Sequence, residues 1–136
     1  MLGDAITAVS GASDYYLGGF IAYANKAKQR WLGVEAEVIK AHGAVSEETV
    51  KAMAEGARHA FWDEIPPIKV VSAAISGIAG PSGGTPEKPA GTVWIAVSGP
   101  SGTVSKQYHL EGDRLAVKKR STKQALDDLL AYLEKL

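Results

Sequence analysis

The feature that most constrains the fold is the segment from Gly77 to Gly91, which holds five glycines and three prolines. So many residues that interrupt helices and strands exclude a regular element there. Apolar runs rich in β-branched side chains precede this loop at 68–76 and follow it at 92–98, a composition typical of buried strands. The sequence therefore predicts two core strands joined by one long loop.

A β-hairpin is predicted directly after that loop. The sequence GPSG separates 92–98 from a further strand-like run at 103–110, and turn residues between two such runs are typical of a hairpin. Residues 20–24, FIAYA, form another apolar run and are predicted as a strand. Together with the helices described next, these runs predict a layered α/β domain with a mixed sheet.

Two helices are predicted in the first half of the chain. Asn25 precedes KAKQRWLG, which is predicted to form a short helix or turn closed by Gly33 in a left-handed conformation. Residues 46–62 form the clearest helix, because Ser46 can cap the first backbone amides and apolar residues recur at helical spacing.

A last helix is predicted at the C-terminus. Ser121 and Gln124 form a possible capping box at its start. One apolar stripe follows, which is expected to dock on the sheet and consists of Ala125, Leu126, Leu129, Leu130 and Leu133.

Composition narrows the class of protein. The 136 residues contain 15 Lys plus Arg and 15 Asp plus Glu, so there is no broad basic field for nucleic acid. Cysteine is absent, which excludes disulfides, thiolate nucleophiles and Cys-built metal sites. No apolar stretch is long enough for a membrane span, and the N-terminus lacks the pattern of a signal peptide. We expect a single cytoplasmic domain, residues 1–136, without nucleic-acid or membrane partners.

The glycine-rich loop is the first candidate for chemistry. Its glycines would let backbone amides approach a phosphate or a carboxamide, and Thr85 and Lys88 would add a hydroxyl and a charge. It is neither a Walker loop nor a dinucleotide fingerprint, because the sequences that must follow those glycines are missing. A surface crossover loop is the alternative interpretation of the spacing.

Charged residues elsewhere have both a functional and a structural interpretation. Lys26 and Lys28 are solvated charges unless burial or a nearby cation lowers the pKa of one of them enough for it to act as a base. Arg114, in the predicted turn EGDR, is either a phosphate ligand or an exposed turn residue.

The three histidines are too scattered for a metal site, at positions 42, 59 and 109. No cofactor or metal is expected, and Trp31, Trp62 and Trp94 are predicted as core or interface side chains.

Four segments, taken in order, carry a resemblance to a known family. They are YYLGGFIAYANKAKQRWLGV, AHGAVSEETVKAMAEGAR, SGIAGPSGGTPEKPAGTVWIAV and EGDR. Together they closely resemble the C-terminal domain family of CinA over nearly the whole chain. The third segment is the most specific, since an accidental Gly/Pro loop would not also keep the Glu-Lys-Pro and Val-Trp pattern.

The resemblance implies a three-layer α/β/α domain that hydrolyses the carboxamide of nicotinamide mononucleotide to nicotinate mononucleotide and ammonia. The family mechanism resembles that of a Ser–Lys hydrolase, with the serine in a Ser-x-Thr-Gly-Gly motif and the lysine in the segment that reads YANKAK here. The resemblance thus assigns the base to Lys28, with Tyr23 beside it as a second catalytic residue. The nucleotide-binding residues that it implies are Asn25, Ser76, Gly77, Gly80, Gly83, Gly84, Thr85 and Arg114.

The sequence departs from the family pattern in one respect. Ser-x-Thr-Gly-Gly does not occur in it, and residues 1–5 begin where the family's helix continues after that motif. We expect an N-terminally truncated domain whose free sheet edge promotes association, most simply as a homo-oligomer. Activity is then expected to be absent or very weak. The alternatives are a catalytically inactive nucleotide-binding or regulatory module and a structural oligomerisation remnant.

Overall fold

The computed structural model describes residues 1–136, which form five helices and three strands. In chain order these are α1 (Leu2–Thr7), α2 (Asn25–Leu32), α3 (Ala36–His42), α4 (Glu47–His59), β1 (Ser72–Gly77), β2 (Thr92–Gly99), β3 (Gly102–His109) and α5 (Arg114–Leu133). Short 3-10 turns lie at Ala12–Asp14 and Pro67–Lys69. None of the helices combines the length and the apolar character needed to cross a bilayer.

The three strands form one sheet in the order β1–β2–β3. Gly99 and Gly102 are paired at the end of β2 and the start of β3, so the predicted GPSG hairpin is confirmed. The predicted adjacency of the first two runs is also confirmed, although β1 begins at Ser72 rather than at residue 68. Pro67 explains the later start, since it opens a 3-10 turn in which residues 67–69 are helical rather than extended.

The predicted mixed sheet is wrong, because both strand pairs are antiparallel. A parallel pair needs a crossover that carries the chain back to the end of the sheet where it started. Here the loop closes on itself at its base instead: the Ile78 amide donates to the Thr92 carbonyl at 2.9 Å, and the Gly91 amide donates to the Ile78 carbonyl at 2.7 Å. The long loop is therefore a wide hairpin connection between β1 and β2.

Helices cover both faces of the sheet. One face packs under α2 and α4 in a buried cluster of Leu32, Val34, Val50, Met53, Ala54, Ala74 and Ala96. The other packs under α5 in a second cluster of Val93, Ile95, Val117 and Ala125. Successive residues of β2, such as Ile95 and Ala96, alternate between the two clusters, as side chains of a strand must. The three-layer α/β/α prediction is confirmed.

Helix α4 begins where the sequence predicts. The Ser46 hydroxyl oxygen accepts a hydrogen bond from the Thr49 amide at 3.2 Å, and the hydroxyl itself donates to the Gly43 carbonyl at 2.9 Å. Such a cap satisfies one of the amides that a helix leaves free at its first turn. The helix ends at His59, three residues earlier than the predicted end at residue 62.

Helix α5 begins at Arg114, seven residues before the predicted start at Ser121. Asp113 is the cap, since its side chain accepts from the Ala116 amide at 2.8 Å. The predicted capping box is wrong, because the Ser121 hydroxyl donates to the Val117 carbonyl four residues earlier, at 2.7 Å, inside the helix. The apolar stripe is buried at Ala125 and becomes exposed toward the C-terminus, at Leu130 and Leu133.

The predicted strand at 20–24 is wrong, because residues 16–23 have no regular secondary structure. They pair with none of the three strands of the sheet. The short helix after them is confirmed as α2, and Gly33 closes it with φ of 64°. Asn25 is its first residue and provides no side-chain cap. Helix α3 was not predicted from the sequence.

Candidate functional site

Two glycines set the position of helix α2 against the rest of the domain. Gly33 ends the helix in the left-handed conformation, so the chain turns back and Val34 enters the core. Gly56 of α4 lies directly against the backbone carbonyl of Leu32, and a Cβ atom there would overlap that carbonyl. The two helices therefore approach as closely as their backbones allow.

This packing buries Lys28, which lies on α2. The side chain is only 6% exposed, and its Nζ donates to the Tyr23 carbonyl at 3.0 Å. Desolvation lowers the pKa of Lys28 below the ordinary value of a lysine, and the nearby Tyr23 opposes part of that effect. Lys26, two residues earlier, is exposed. The sequence did not distinguish these two lysines, whereas in the structure Lys28 is buried and Lys26 is exposed.

Arg114 joins three parts of the chain. Its Nη1 donates to the Gly80 carbonyl at 3.0 Å, and its Nη2 lies 3.5 Å from the Tyr23 hydroxyl. The glycine-rich loop, the start of α5 and the segment that holds Lys28 therefore meet at one side chain. Four of the predicted site residues are brought together in this way: Tyr23, Lys28, Gly80 and Arg114.

A cleft of about 420 Å³ opens beside Arg114. Its walls are Ala79, Gly80, Pro81 and Ala90 of the loop, and residues 109–114 at the end of β3 and the start of α5. His109 and Asp113 also line the cleft and were not predicted as site residues from the sequence. An Asp directly before a helical stretch is a recognised capping signal and would have located the start of α5.

The remaining predicted loop residues hold the loop together. The Thr85 hydroxyl accepts from the Lys88 amide at 3.0 Å, and the Lys88 ammonium donates to the His42 carbonyl of α3 at 2.8 Å. Gly84 packs so closely that a Cβ there would lie 2.6 Å from the Ala90 nitrogen, and Gly83 needs a φ of 88°. These side chains and glycines fix the shape of the loop, while Gly80 lines the cleft.

Ser76 and Gly77 lie at the end of β1. Ser76 is 7% exposed, and its hydroxyl donates to the Ala44 carbonyl at 2.6 Å. This bond ties the connection between α3 and α4 to the sheet. A Cβ on Gly77 would lie 2.8 Å from a methyl carbon of Val93, so that position requires glycine for packing. Asn25, at the start of α2, is exposed.

A second cleft, of about 400 Å³, lies between α2 and α4 and shares no wall with the first. Trp31, Glu55 and His59 are among its residues. Trp94 packs partly buried against the first cluster, so its predicted core position is confirmed. Trp31 and Trp62 lie at the surface, 53% and 39% exposed, so for them only the predicted interface position stays a prediction. We place the candidate site at the Arg114 cleft, because the buried lysine is linked to that one.

Fold and site together define a three-layer α/β domain in which a buried lysine is linked through Tyr23 and Arg114 to a glycine-rich loop and a cleft. The chain belongs to the CinA C-terminal domain family, whose model matches residues 1–133. The resemblance stated from the sequence is thereby confirmed.

Individual relatives agree with this assignment. The chain is 50% identical over 129 residues to a CinA-like protein of Gemmatimonas aurantiaca. This alignment covers 95% of this chain and 29% of that protein. It is 46% identical to a putative competence-damage inducible protein of Symbiobacterium thermophilum, covering 94% of this chain and 31% of that one. This chain therefore spans less than a third of the length of these curated relatives. A solved CinA superfamily structure from Klebsiella pneumoniae aligns with a TM-score of 0.89 at 31% identity, over 99% of this chain and 81% of that one.

The buried charge at Lys28 leads to a prediction about stability. Replacing Lys28 with methionine is expected to raise the midpoint of thermal unfolding at neutral pH by about 3 to 4 °C, on the order of 1 kcal/mol, because a desolvated ammonium is removed. The pKa of Lys28 is lowered in the folded state. At any pH between that lowered value and about 10.4, the unfolded chain therefore binds more protons than the folded chain does. Wild-type stability rises over this window, and the advantage of the variant should shrink accordingly.

Calorimetry between pH 6 and pH 10 measures this effect. Lys26→Met is the matched control, since Lys26 lies on the same helix and is exposed. It should leave the unfolding midpoint and its pH dependence unchanged. A Lys28→Met protein that is less stable than wild type at every pH would show that the ammonium stabilises the fold.

Proposed function

We propose that this domain binds nicotinamide mononucleotide at the Arg114 cleft and is of the kind that hydrolyses the nucleotide's carboxamide. The observation that carries the proposal is the environment of Lys28. Its Nζ is buried, held by a backbone carbonyl and desolvated, which is what a lysine requires to act as a base near neutral pH. The substrate comes from the resemblance of the four sequence segments to nicotinamide-mononucleotide amidohydrolases.

The proposed reaction needs a nucleophile whose proton Lys28 can accept. A serine hydroxyl of a Ser-x-Thr-Gly-Gly motif transfers its proton to the neutral Nζ, and its oxygen forms a bond to the carboxamide carbon. Lys28 returns the proton to the nitrogen as the C–N bond breaks, so that ammonia leaves and an ester remains. Water then hydrolyses the ester, which releases nicotinate mononucleotide and restores the serine.

A second candidate function is nucleotide binding without turnover, and the hydrogen bond of Ser76 favours it for this chain. The motif serine does not occur in the sequence. Ser76 is the hydroxyl beside the loop, but its proton is donated to the Ala44 carbonyl at 2.6 Å, so it is engaged in a structural bond. For this chain we therefore propose binding of the nucleotide with absent or very weak hydrolysis.

Arg114 is the proposed ligand of the phosphate group. A guanidinium presents several N–H donors in a fork that matches phosphate oxygens. The bond to the Gly80 carbonyl fixes the side chain at the wall of the cleft and leaves donors available for a ligand. The same bond makes the loop conformation depend on Arg114.

The binding test is a thermal shift. At ten times its Kd, nicotinamide mononucleotide should stabilise the folded chain by about 1.4 kcal/mol, which corresponds to roughly 5 °C for a domain of this size. Arg114→Ala should reduce that shift strongly at the same ligand concentration. Lys119→Ala is the matched control, because Lys119 is an exposed cation on the same helix, and it should retain the full shift.

Two further ligands make the result specific. Inorganic phosphate alone should give a smaller thermal shift, and Arg114→Ala should remove that shift too. The shift with nicotinamide alone measures binding to the remainder of the cleft. A shift that is the same in wild type and in Arg114→Ala would remove Arg114 from the site. No shift with the nucleotide at millimolar concentration, on the order of the weakest specific affinities, would overturn the proposal for this chain.

A further inference from the structure

The cleft between α2 and α4, which we term the Trp31 cleft, has no part in the proposed function. The end of α2 contributes Trp31 and Gly33 to its walls, and α4 contributes Glu55, Gly56 and His59. Its volume of about 400 Å³ lies within the range of about 300 to 1,000 Å³ that is typical of small-molecule sites. The chemistry of the walls indicates which kind of molecule fits.

Trp31 presents an aromatic surface without a partner. Its side chain is 53% exposed. The other surface tryptophan, Trp62, is already engaged, because its ring centroid lies 3.7 Å from that of His59 and 5.5 Å from the Arg58 guanidinium carbon. Trp31 has neither a ring nor a cation beside it. An indole face attracts flat rings by stacking, and it attracts cations through its electron-rich π system.

Glu55 gives the Trp31 cleft a negative charge. Its carboxylate is exposed and takes part in no ion pair. No lysine or arginine lines the cleft, and His59 is its only other titratable residue. Histidine side chains in general lose their charge between pH 5 and pH 8. Above that range the carboxylate and the face of Trp31 therefore favour the same kind of ligand, a cation.

The walls of the Trp31 cleft are held in place by backbone packing. Gly56 lies directly against the Leu32 carbonyl, so α2 and α4 are in backbone contact beneath the cleft. Gly33 has open space where a Cβ atom would lie, with no atom within 4 Å, so a flat ring can approach the end of α2 closely. A site whose walls are fixed before binding loses little entropy when the ligand enters.

We propose that the Trp31 cleft is a binding site for a flat heteroaromatic cation of the pyridinium type. The ring stacks on the indole of Trp31, and the Glu55 carboxylate lies beside its positive charge. A neutral ring lacks the attraction to the carboxylate, and a round cation lacks the flat face that stacks. The Trp31 cleft shares no residue with the Arg114 cleft, so the proposal does not depend on the proposed function.

Three small molecules at pH 8 test the class of ligand. 1-Methylnicotinamide is flat and cationic, nicotinamide is flat and neutral, and tetramethylammonium is cationic and round. Nuclear magnetic resonance follows the indole N–H peak of Trp31, assigned with Trp31→Phe, and the backbone amide peak of Gly33. 1-Methylnicotinamide is expected to shift both peaks saturably, with a Kd on the order of 1 mM or below. The other two molecules should bind at least about tenfold more weakly, and the Trp94 indole peak should not move.

Variants test the two walls separately. Trp31→Leu should weaken binding of 1-methylnicotinamide by about tenfold or more, with the Gly33 amide as the reporter. Glu55→Gln should weaken it by about threefold to fivefold, the usual effect of an exposed charge. Glu37→Gln is the matched control, because Glu37 is an exposed carboxylate on α3 outside the cleft, and it should bind as wild type does. Circular dichroism verifies folding, and Glu55→Gln decides the matter if Trp31→Leu does not fold.

Several results would overturn the proposal. Nicotinamide that binds as tightly as 1-methylnicotinamide would exclude selection of a cation, and equally tight tetramethylammonium would exclude selection of a flat ring. No saturable shift at about 10 mM, beyond the weakest specific affinities, would remove the site itself.

Arg114→Ala distinguishes the two clefts. Loss of 1-methylnicotinamide binding in this variant would place the molecule in the Arg114 cleft and contradict the proposal. Unchanged binding is the expected result. If nicotinamide mononucleotide gives no thermal shift while 1-methylnicotinamide still moves the Trp31 and Gly33 peaks, the proposed function fails and the Trp31 site stands.

Discussion

Replacing Gly56 with alanine is expected to lower the midpoint of thermal unfolding by about 10 °C or more, a loss of roughly 3 kcal/mol or above. In an unobstructed helix the same change would stabilise the protein by about 1 kcal/mol, since alanine is the better helix former. Here the added methyl group would overlap the Leu32 carbonyl, which is rigid backbone. Helix α2 must then move away from α4, and it takes Lys28 with it.

Gly3→Ala is the matched control for this prediction. Gly3 is also a helical glycine, but its Cβ would meet only the Tyr16 hydroxyl, at the end of a side chain that can rotate away. We expect Gly3→Ala to change stability by no more than about 1 kcal/mol in either direction. Equal stability of Gly56→Ala and wild type would show that the two helices can separate freely, contrary to the packing described above.

The largest effect on activity is expected at Lys28. The experiment uses a version of the chain extended at its N-terminus with a family segment that carries Ser-x-Thr-Gly-Gly, which under our proposal releases ammonia from nicotinamide mononucleotide. Lys28→Ala in that protein should reduce ammonia release by about 10²- to 10⁴-fold, the usual contribution of a general base. Lys28→Arg should be equally inactive, because a guanidinium does not lose its proton in this range.

Lys26→Ala provides the control for the activity measurement. It removes an ammonium from the same turn of the same helix, but an exposed one, and should leave the rate near that of the extended parent. The parent rate should rise with pH through the lowered pKa of Lys28, because the base acts in its neutral form. If the extended protein binds the nucleotide but releases no ammonia, the proposed hydrolysis is wrong and the second candidate function, nucleotide binding without turnover, replaces it. If the chain without that segment already turns over at about 10 per second, an ordinary enzymatic rate, one of its own hydroxyls must serve as the nucleophile.

Much of the secondary structure follows from local patterns. The hairpin at GPSG, the cap at Ser46 and the left-handed Gly33 were predicted because each depends on residues a few positions apart. The start of α5 was missed because two capping signals compete there. Asp113 caps the helix, while the Ser121 hydroxyl is satisfied by a carbonyl of the preceding turn and does not interrupt it.

The candidate site was predicted only in part, for a related reason. Lys28 and Arg114 were assigned from the resemblance, yet their chemistry depends on neighbours that are distant in sequence. Arg114 meets the Gly80 carbonyl thirty-four positions earlier in the chain. Ser76 was assigned to the nucleotide site, but its hydroxyl is bonded to the Ala44 carbonyl thirty-two positions away. Spacing within a motif contains no information about such partners.

By itself, the sequence determined the two core strands beside the Gly/Pro loop, the helix that begins after Ser46 and the layered α/β class, because apolar periodicity and turn residues act over a few residues. Tertiary structure alone decided that the strands pair antiparallel and that the strand-forming residues 20–24 stay unpaired. It also decided that Lys28, rather than Lys26, is desolvated. The physical reason is common to all three: pairing and burial depend on which remote segments come into contact, and the same local residues are compatible with either outcome.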